Sequence, residues 1–286
     1  MPRIEIDGIG IGYDLAGKGP AVVITPGGRF ARDTPGVPEL AEALAAGGMR
    51  VLTWDRPNCG ESDIVFDGAS ESALNADTLA GLIARLDLGP TILVGGSAGA
   101  RVSLLVGARH PDAVAGIFLL WITGGAIGLS ALVSVYCGEA ALAAVAGGME
   151  AVSAMPGWRE QIERNPGNRG RLLAQQPAAF VARMKIWADA FTPTPGSPVP
   201  GLEPRDFEAM RLPVTVLRSG VSDIHHLRET SEAVAALIPG AKLDEPPWGD
   251  REWADRMAAA GRGEGLFQNW PMLAPQMLAF ARSVSS

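Results

Sequence analysis

The sequence has few of the residues that bind metals or form cross-links. Its 286 residues include only three histidines and two cysteines, Cys59 and Cys137, which lie far apart in the chain. Metal sites draw mainly on clustered histidine and cysteine, so the sequence predicts no metal site. No motif of a cofactor-binding fold is present, which predicts no cofactor. Two distant cysteines favour a reduced, cytoplasmic protein, while their pairing stays open.

Charge is also scarce, and the basic excess typical of some binding proteins is absent. Charged residues make up 19% of the chain, the net charge is −7, and neither sign forms a long run. Surfaces that bind nucleic acids or anionic membranes are usually basic. The composition therefore predicts no nucleic-acid or membrane partner and favours a small-molecule substrate. It makes no prediction about oligomeric state.

The N-terminus lacks the apolar stretch of a signal peptide, which again favours the cytoplasm. The longest uncharged stretch, residues 114–135, is long enough to span a membrane. Its first part, residues 114–120, is instead typical of a buried parallel strand, and the Thr-Gly-Gly at 123–125 interrupts the pattern. We therefore expect a strand followed by a break at this point.

Strand-like and helix-like segments alternate along much of the chain. A hairpin over residues 3–15 is followed by apolar strands and amphipathic helices as far as Trp121, and the alternation resumes at Pro213. Such alternation predicts a mostly parallel sheet covered by helices on both faces. Helix-like pieces occur between the two parts and end in a proline-rich stretch. The sequence thus predicts a core formed by residues 1–122 and 206–286, with a helical cap inserted at 123–205.

The segment Gly95-Gly96-Ser97-Ala98-Gly99 carries the clearest chemical signal. It follows an apolar strand and precedes a helix-like stretch, as a nucleophile elbow does. The elbow holds its central residue in a strained conformation, so small neighbours are needed and the hydroxyl is left exposed. Ser97 is therefore the first candidate nucleophile.

The chain resembles the α/β-hydrolase superfamily over nearly its whole length. Four segments carry the resemblance: Pro-Gly-Gly at 26–28, the stretch from Trp54 to Asp63, the elbow around Ser97, and Gly-Val-Ser-Asp at 220–223. The resemblance implies an eight-stranded, mostly parallel sheet with an inserted helical cap. It also implies a serine, an acid and a histidine in that chain order, and Asp223 matches the acid.

The histidine is missing from its usual place. The family's Gly-His would fall at Gly249-Asp250, and no histidine follows His226. Since serine needs a base to take its proton, three alternatives are open. In the first, His225 or His226 supplies the imidazole from the loop that contains Asp223. In the second, Asp250 takes the place of the histidine, and the site transfers protons through carboxylates. In the third, the catalytic machinery is lost and the pocket only binds ligands.

The resemblance also suggests residues that contact the substrate. The oxyanion hole would consist of the backbone N–H groups of Gly28 and Ala98. Arg29 follows the glycines and would favour an anionic substrate if it reached the pocket. Trp121 ends a strand at the edge where open parallel sheets bind ligands, and Trp248 lies beside the anomalous loop. We expect both tryptophans to contribute to an aromatic wall.

The first functional hypothesis is therefore hydrolysis of an ester, lactone or C–C bond beside a carbonyl in a small, fairly apolar substrate. Ser97 would attack, with Asp223 and one of the two neighbouring histidines activating it. The second is a lyase, decarboxylase or isomerase on the same scaffold, using Ser97 and carboxylates. The third is a catalytically inactive ligand-binding protein. The substrate itself is not readable, because a fold does not fix a function.

Overall fold

The computed structural model describes residues 2–284, and its centre is one eight-stranded sheet. The strand order is β1-β2-β4-β3-β5-β6-β7-β8. β2 pairs antiparallel with β1 and β4, and all other neighbours are parallel. The strands are β1 Arg3–Ile6, β2 Ile9–Gly17, β3 Ala21–Thr25, β4 Arg50–Trp54, β5 Thr91–Gly96, β6 Val114–Leu120, β7 Val214–Leu217 and β8 Lys242–Asp244.

Helices cover both faces of this sheet, and a further group of helices lies between β6 and β7 in the chain. The helices are α1 Val37–Ala46, α2 Glu71–Arg85, α3 Ala98–Arg109, α4 Gly125–Val133, α5 Glu139–Ala154, α6 Pro156–Arg164, α7 Gly167–Leu173, α8 Pro177–Asp189, α9 Pro204–Ala209, α10 Arg228–Leu237, α11 Glu252–Ala260 and α12 Ala274–Val284. A π-helical turn, Ser134–Gly138, joins α4 to α5.

The central strands are buried on both sides, as continuous apolar runs predict. All residues of β3 and β5 are buried. One core cluster packs α2, α3 and α10 against one face of the sheet, and a second packs α1 and α12 against the other. The predicted fold class, a mostly parallel eight-stranded sheet between helices, is confirmed.

The chain from α4 to α8 forms a third apolar cluster, which contacts the rest of the protein through Ile64, Phe66 and Ala98. This stretch lies within the predicted cap; of the predicted core, residues 1, 285 and 286 lie outside the described part. The stretch 114–120 is a strand, as expected, and a helical segment follows the break. That segment, Gly125–Ala154, is apolar and long enough to cross a membrane by length and composition alone. Its backbone leaves the helical conformation at Gly147 and Gly148.

Candidate active site

Ser97 lies in a tight turn between β5 and α3. Its backbone angles, φ 56° and ψ −117°, are rare for a residue with a side chain. A Cβ added at Gly95 would overlap the carbonyl oxygen of Gly99, and one added at Gly99 would overlap that of Thr25. Glycine is therefore required on both sides of Ser97, for the steric reason that the sequence pattern suggested.

Replacement of Gly99 by alanine is expected to destabilise the protein by about 3 kcal/mol or more, because the overlapping atom belongs to the backbone and cannot rotate away. Gly170 in α7 is the control, since an added Cβ there meets nothing within 4 Å. Gly170→Ala should be neutral or stabilise by up to about 1 kcal/mol. Urea denaturation measures both changes, and equal free energies of unfolding for the two variants would contradict the prediction.

The Ser97 hydroxyl is the first member of a chain of hydrogen bonds. Its Oγ lies 2.9 Å from Nε2 of His226, and Nδ1 of the same ring lies 2.9 Å from Oδ2 of Asp223. An ionised carboxylate only accepts hydrogen bonds, so Nδ1 carries the proton and Nε2 is left to accept from the hydroxyl. The other carboxylate oxygen of Asp223 accepts from the backbone N–H groups of His225 and His226. Asp223 therefore fixes both the tautomer and the position of the imidazole.

Burial and charge set the protonation states of this chain. Burial would raise the pKa of the Asp223 carboxyl, but hydrogen bonds from His226 hold that pKa below its usual value. Burial also lowers the pKa of the His226 imidazole; Asp223 opposes this effect, and the positive charge of Arg256 adds to it. At neutral pH the site therefore contains a neutral imidazole between a carboxylate and a serine, which is the state that a general base requires.

The structure separates the other two candidate bases from Ser97. The ring of His225 lines the same cavity but packs on Trp253, 4.8 Å between ring centres. Asp250 does not reach the cavity: its side chain is 63% exposed and forms an ion pair with Arg228. The reason is that the loop around Asp250 follows β8 along the outside of the Asp223 loop, where the Asp250 carbonyl oxygen accepts from Ser222.

The loop after β3 faces Ser97 from the other side. Gly27 and Gly28 line the cavity, and a Cβ at Gly27 would lie 2.7 Å from that of Ser97. The buried Arg56 donates from Nη2 to the carbonyl oxygens of Gly27 and Gly28, at 3.3 and 2.5 Å. Because C=O and N–H of a trans peptide point in opposite directions, the bond to the Gly27 oxygen turns the Gly28 N–H away from Arg56.

A cavity of about 220 Å³ opens above Ser97 and has largely apolar walls. Trp121 forms part of the wall, at the end of β6, with a φ of 51° that is strained for a bulky residue. Thr123, two residues further, places Oγ1 3.2 Å from Ser97 Oγ. Leu132 and Tyr136 line the cavity from the helices that follow β6. The site therefore accepts a small molecule with apolar groups.

Two expected substrate contacts lie elsewhere. Arg29 forms an ion pair with Glu71, 2.6 Å apart, and its guanidinium lies between the rings of Tyr136 and Trp158. Its charge is thus already neutralised outside the cavity lining. Trp248 packs behind Trp121, 5.7 Å between ring centres, and supports the wall without lining the cavity.

The sequence interpretation missed α11, which supplies Trp253 and Arg256 to the cavity. The Arg256 guanidinium lies 3.9 Å from the ring centre of Trp121, and its Nη2 lies 3.8 Å from Oδ2 of Asp223. Its Nε donates to Glu252 over 2.8 Å. The spacing of Glu252 and Arg256, four residues apart, is a helical pair that was readable in the sequence. That this pair faces Asp223 was not.

Comparisons with known proteins agree with this architecture. A family model described as an alpha/beta hydrolase family matches residues 22–280. A 2-hydroxy-6-oxononadienedioate/2-hydroxy-6-oxononatrienedioate hydrolase of Burkholderia vietnamiensis (strain G4 / LMG 22486) is 36% identical over 87 residues, which are 30% of this chain and 29% of that protein. The chain thus matches less than a third of that relative's length.

Solved structures resemble the chain over almost its full length. A thermophilic esterase from Thermogutta terrifontis has a TM-score of 0.62 at 18% identity, with 100% of both chains covered. The enol-lactonase from Burkholderia xenovorans LB400 has a TM-score of 0.55 at 19% identity, covering 92% of this chain and 97% of that one. At these identities the likeness shows the shared fold.

Proposed function

The chain belongs to the α/β-hydrolase family, and we propose that it is a serine hydrolase that cleaves an ester, lactone or C–C bond beside a carbonyl. The observation that carries this proposal is the hydrogen-bonded chain from Ser97 through His226 to Asp223. Such a chain is what an alcohol needs to become a nucleophile at neutral pH. The names of the hydrolase, the esterase and the enol-lactonase supply the bond types proposed here.

In the proposed reaction, Ser97 Oγ attacks the carbonyl carbon while its proton passes to Nε2 of His226. The oxyanion accepts hydrogen bonds from the N–H groups of Gly28 and Ala98, each worth about 3 kcal/mol in comparable sites. Collapse breaks the scissile bond, and His226 gives its proton to the leaving oxygen or carbon. Water, deprotonated by His226, then attacks the acyl carbon, and His226 returns the proton to Ser97 Oγ as the acyl group leaves as the acid.

We assign the helical insertion at 123–205 the role of a cap over this reaction, because Leu132 and Tyr136 close the cavity above Ser97. The walls suit a small, fairly apolar acyl group. A proton-transferring site built on Ser97 and Asp250 has less support, since Asp250 is exposed and paired with Arg228. A pocket that only binds ligands does not require the aligned base and acid.

Fluorophosphonate labelling followed by mass spectrometry tests the proposal directly, together with turnover of p-nitrophenyl butyrate, a lactone and a vinylogous diketone. We expect one adduct on Ser97 and turnover of at least one substrate class. Ser97→Ala should lose both, whereas Ser153→Ala, which changes a half-buried serine of α5 that does not line the cavity, should keep both. The absence of any adduct on wild-type Ser97 would contradict the proposed function.

The acidic limb of the pH profile should reflect His226. Its imidazole must be neutral to act as a base, and its pKa lies below the usual 6.5, so kcat/KM should stay constant as pH falls to about 6.5 and decline only below it. Arg256→Met removes a positive charge that disfavours the imidazolium, and the limb should therefore move to higher pH. Arg256→Lys should keep the wild-type limb. An unchanged limb in Arg256→Met would exclude this electrostatic effect.

A further inference from the structure

Arg101 is a buried cation that forms no ion pair with any residue in the described part of the chain. It lies in the first turn of α3 and is 6% exposed. Within residues 2–284 its Nε has no hydrogen-bond partner, and no carboxylate lies at ion-pair distance from its guanidinium, which packs over the ring of Phe191 at 4.4 Å from the ring centre. Burial lowers the pKa of Arg101 to about 10, which leaves it charged at neutral pH. Uncompensated buried charge is costly in free energy, so an anion is expected here.

The surroundings of Arg101 are positive as well. The partly buried Arg29 and the buried Arg56 lie in the same region, and Glu71 is the carboxylate that acts on all three guanidinium groups. Glu71 is already bound, to Arg29 at 2.6 Å and to Asn58 at 2.9 Å. The cluster therefore combines three positive charges with one negative charge.

The N-terminus of α2 lies beside Arg101. A cavity of about 10 Å³ is lined by Ser70, Glu71, Ser72 and Arg101. The N–H groups of Glu71 and Ser72 belong to the first turn of a 15-residue helix, where amides have no intrahelical partner and the helix dipole is positive. Ser70 Oγ accepts from the N–H of Ala73, so its own proton is free to be donated.

We propose that Arg101 and the first turn of α2 form a binding site for one monoatomic halide ion, with chloride as the natural ligand. The cavity is small, about 10 Å³, which is close to the minimum for one water molecule, so we infer a single monoatomic anion in preference to carboxylates, sulfate or phosphate. The positive charge of Arg101 excludes metal cations. None of the residues that line this cavity lines the cavity above Ser97. The halide site is therefore independent of the proposed hydrolase reaction.

Thermal unfolding in chloride and in gluconate, at constant ionic strength, tests the site, because gluconate is too large to enter. Between 1 and 300 mM chloride the Tm of the wild-type protein should rise by about 3 °C relative to gluconate. Arg101→Met should lose this difference. Arg205→Met should retain it, because the Arg205 side chain is 79% exposed, pairs with Glu203 and does not line this cavity. Equal Tm values in the two salts, or a chloride effect that persists in Arg101→Met, would overturn the proposal.

Bromide provides a measurement that does not depend on a variant. Crystals of the wild-type protein grown in sodium bromide should show an anomalous peak within hydrogen-bond distance of the Arg101 guanidinium and the Ser72 N–H. If Arg101→Met does not fold, the bromide experiment alone tests whether the halide site exists. Ordered bromide found only at the protein surface would overturn the proposal.

Discussion

Replacement of His226 by glutamine is expected to lower kcat for ester hydrolysis by roughly 10⁴- to 10⁶-fold, the range found when a triad histidine is removed. The physical reason is specific to this ring. Its Nε2 lies 2.9 Å from Ser97 Oγ, whereas a glutamine amide cannot accept a proton from serine at neutral pH. Steady-state kinetics and the rate of fluorophosphonate labelling should fall together, because both need an activated hydroxyl.

His225→Gln is the matched control, since the two histidines are adjacent and line one cavity. We expect it to change KM more than kcat, because the His225 ring packs on Trp253 and not on Ser97. The Tm of both variants shows whether a fall in activity comes from loss of the base or from loss of the folded structure. A larger fall in kcat for His225→Gln than for His226→Gln would show that the assignment of the base is wrong.

Replacement of Asp223 by asparagine should lower kcat by roughly 10⁴-fold, as expected when the imidazole is held in the wrong tautomer. The amide oxygen of asparagine would keep the two hydrogen bonds from the N–H groups of His225 and His226. Its NH₂ group would then face Nδ1 of His226 and donate to it. The ring proton would move to Nε2, which could no longer take the proton of Ser97.

Asp250→Asn is the control for the acid, because this carboxylate occupies the position at which the family's histidine would fall. Its side chain is exposed and bound to Arg228, so kcat should stay within about twofold of wild type. If Asp250→Asn lost activity while Asp223→Asn kept it, the reaction would have to run through a different acid. The kcat values of the two variants are measured with the substrate that the wild-type protein turns over fastest.

The sequence predicted the sheet and the turn around Ser97 because both depend on local chemistry. Apolar runs such as β3 and β5 can only be buried on both faces, and strands that alternate with helices can only form a parallel sheet. The glycines beside Ser97 were informative for the same reason, since a Cβ at Gly95 or Gly99 meets backbone atoms a few residues away. By contrast, α11 was missed, because residues 246–253 were interpreted as a loop around a missing histidine and no helix was predicted after them.

The sequence by itself thus determined the fold class and indicated a candidate nucleophile and a candidate acid, and it limited the candidate base to three residues. Only the tertiary structure showed that His226 is the one hydrogen-bonded to Ser97, because which side chain reaches Ser97 depends on how the loop after β7 packs against the end of β6. Long-range packing also explains why Arg29 pairs with Glu71 and why Trp248 packs behind Trp121. It places Arg256 beside Asp223 as well. Sequence spacing fixes the backbone near a residue, whereas contacts between distant segments decide what its side chain meets.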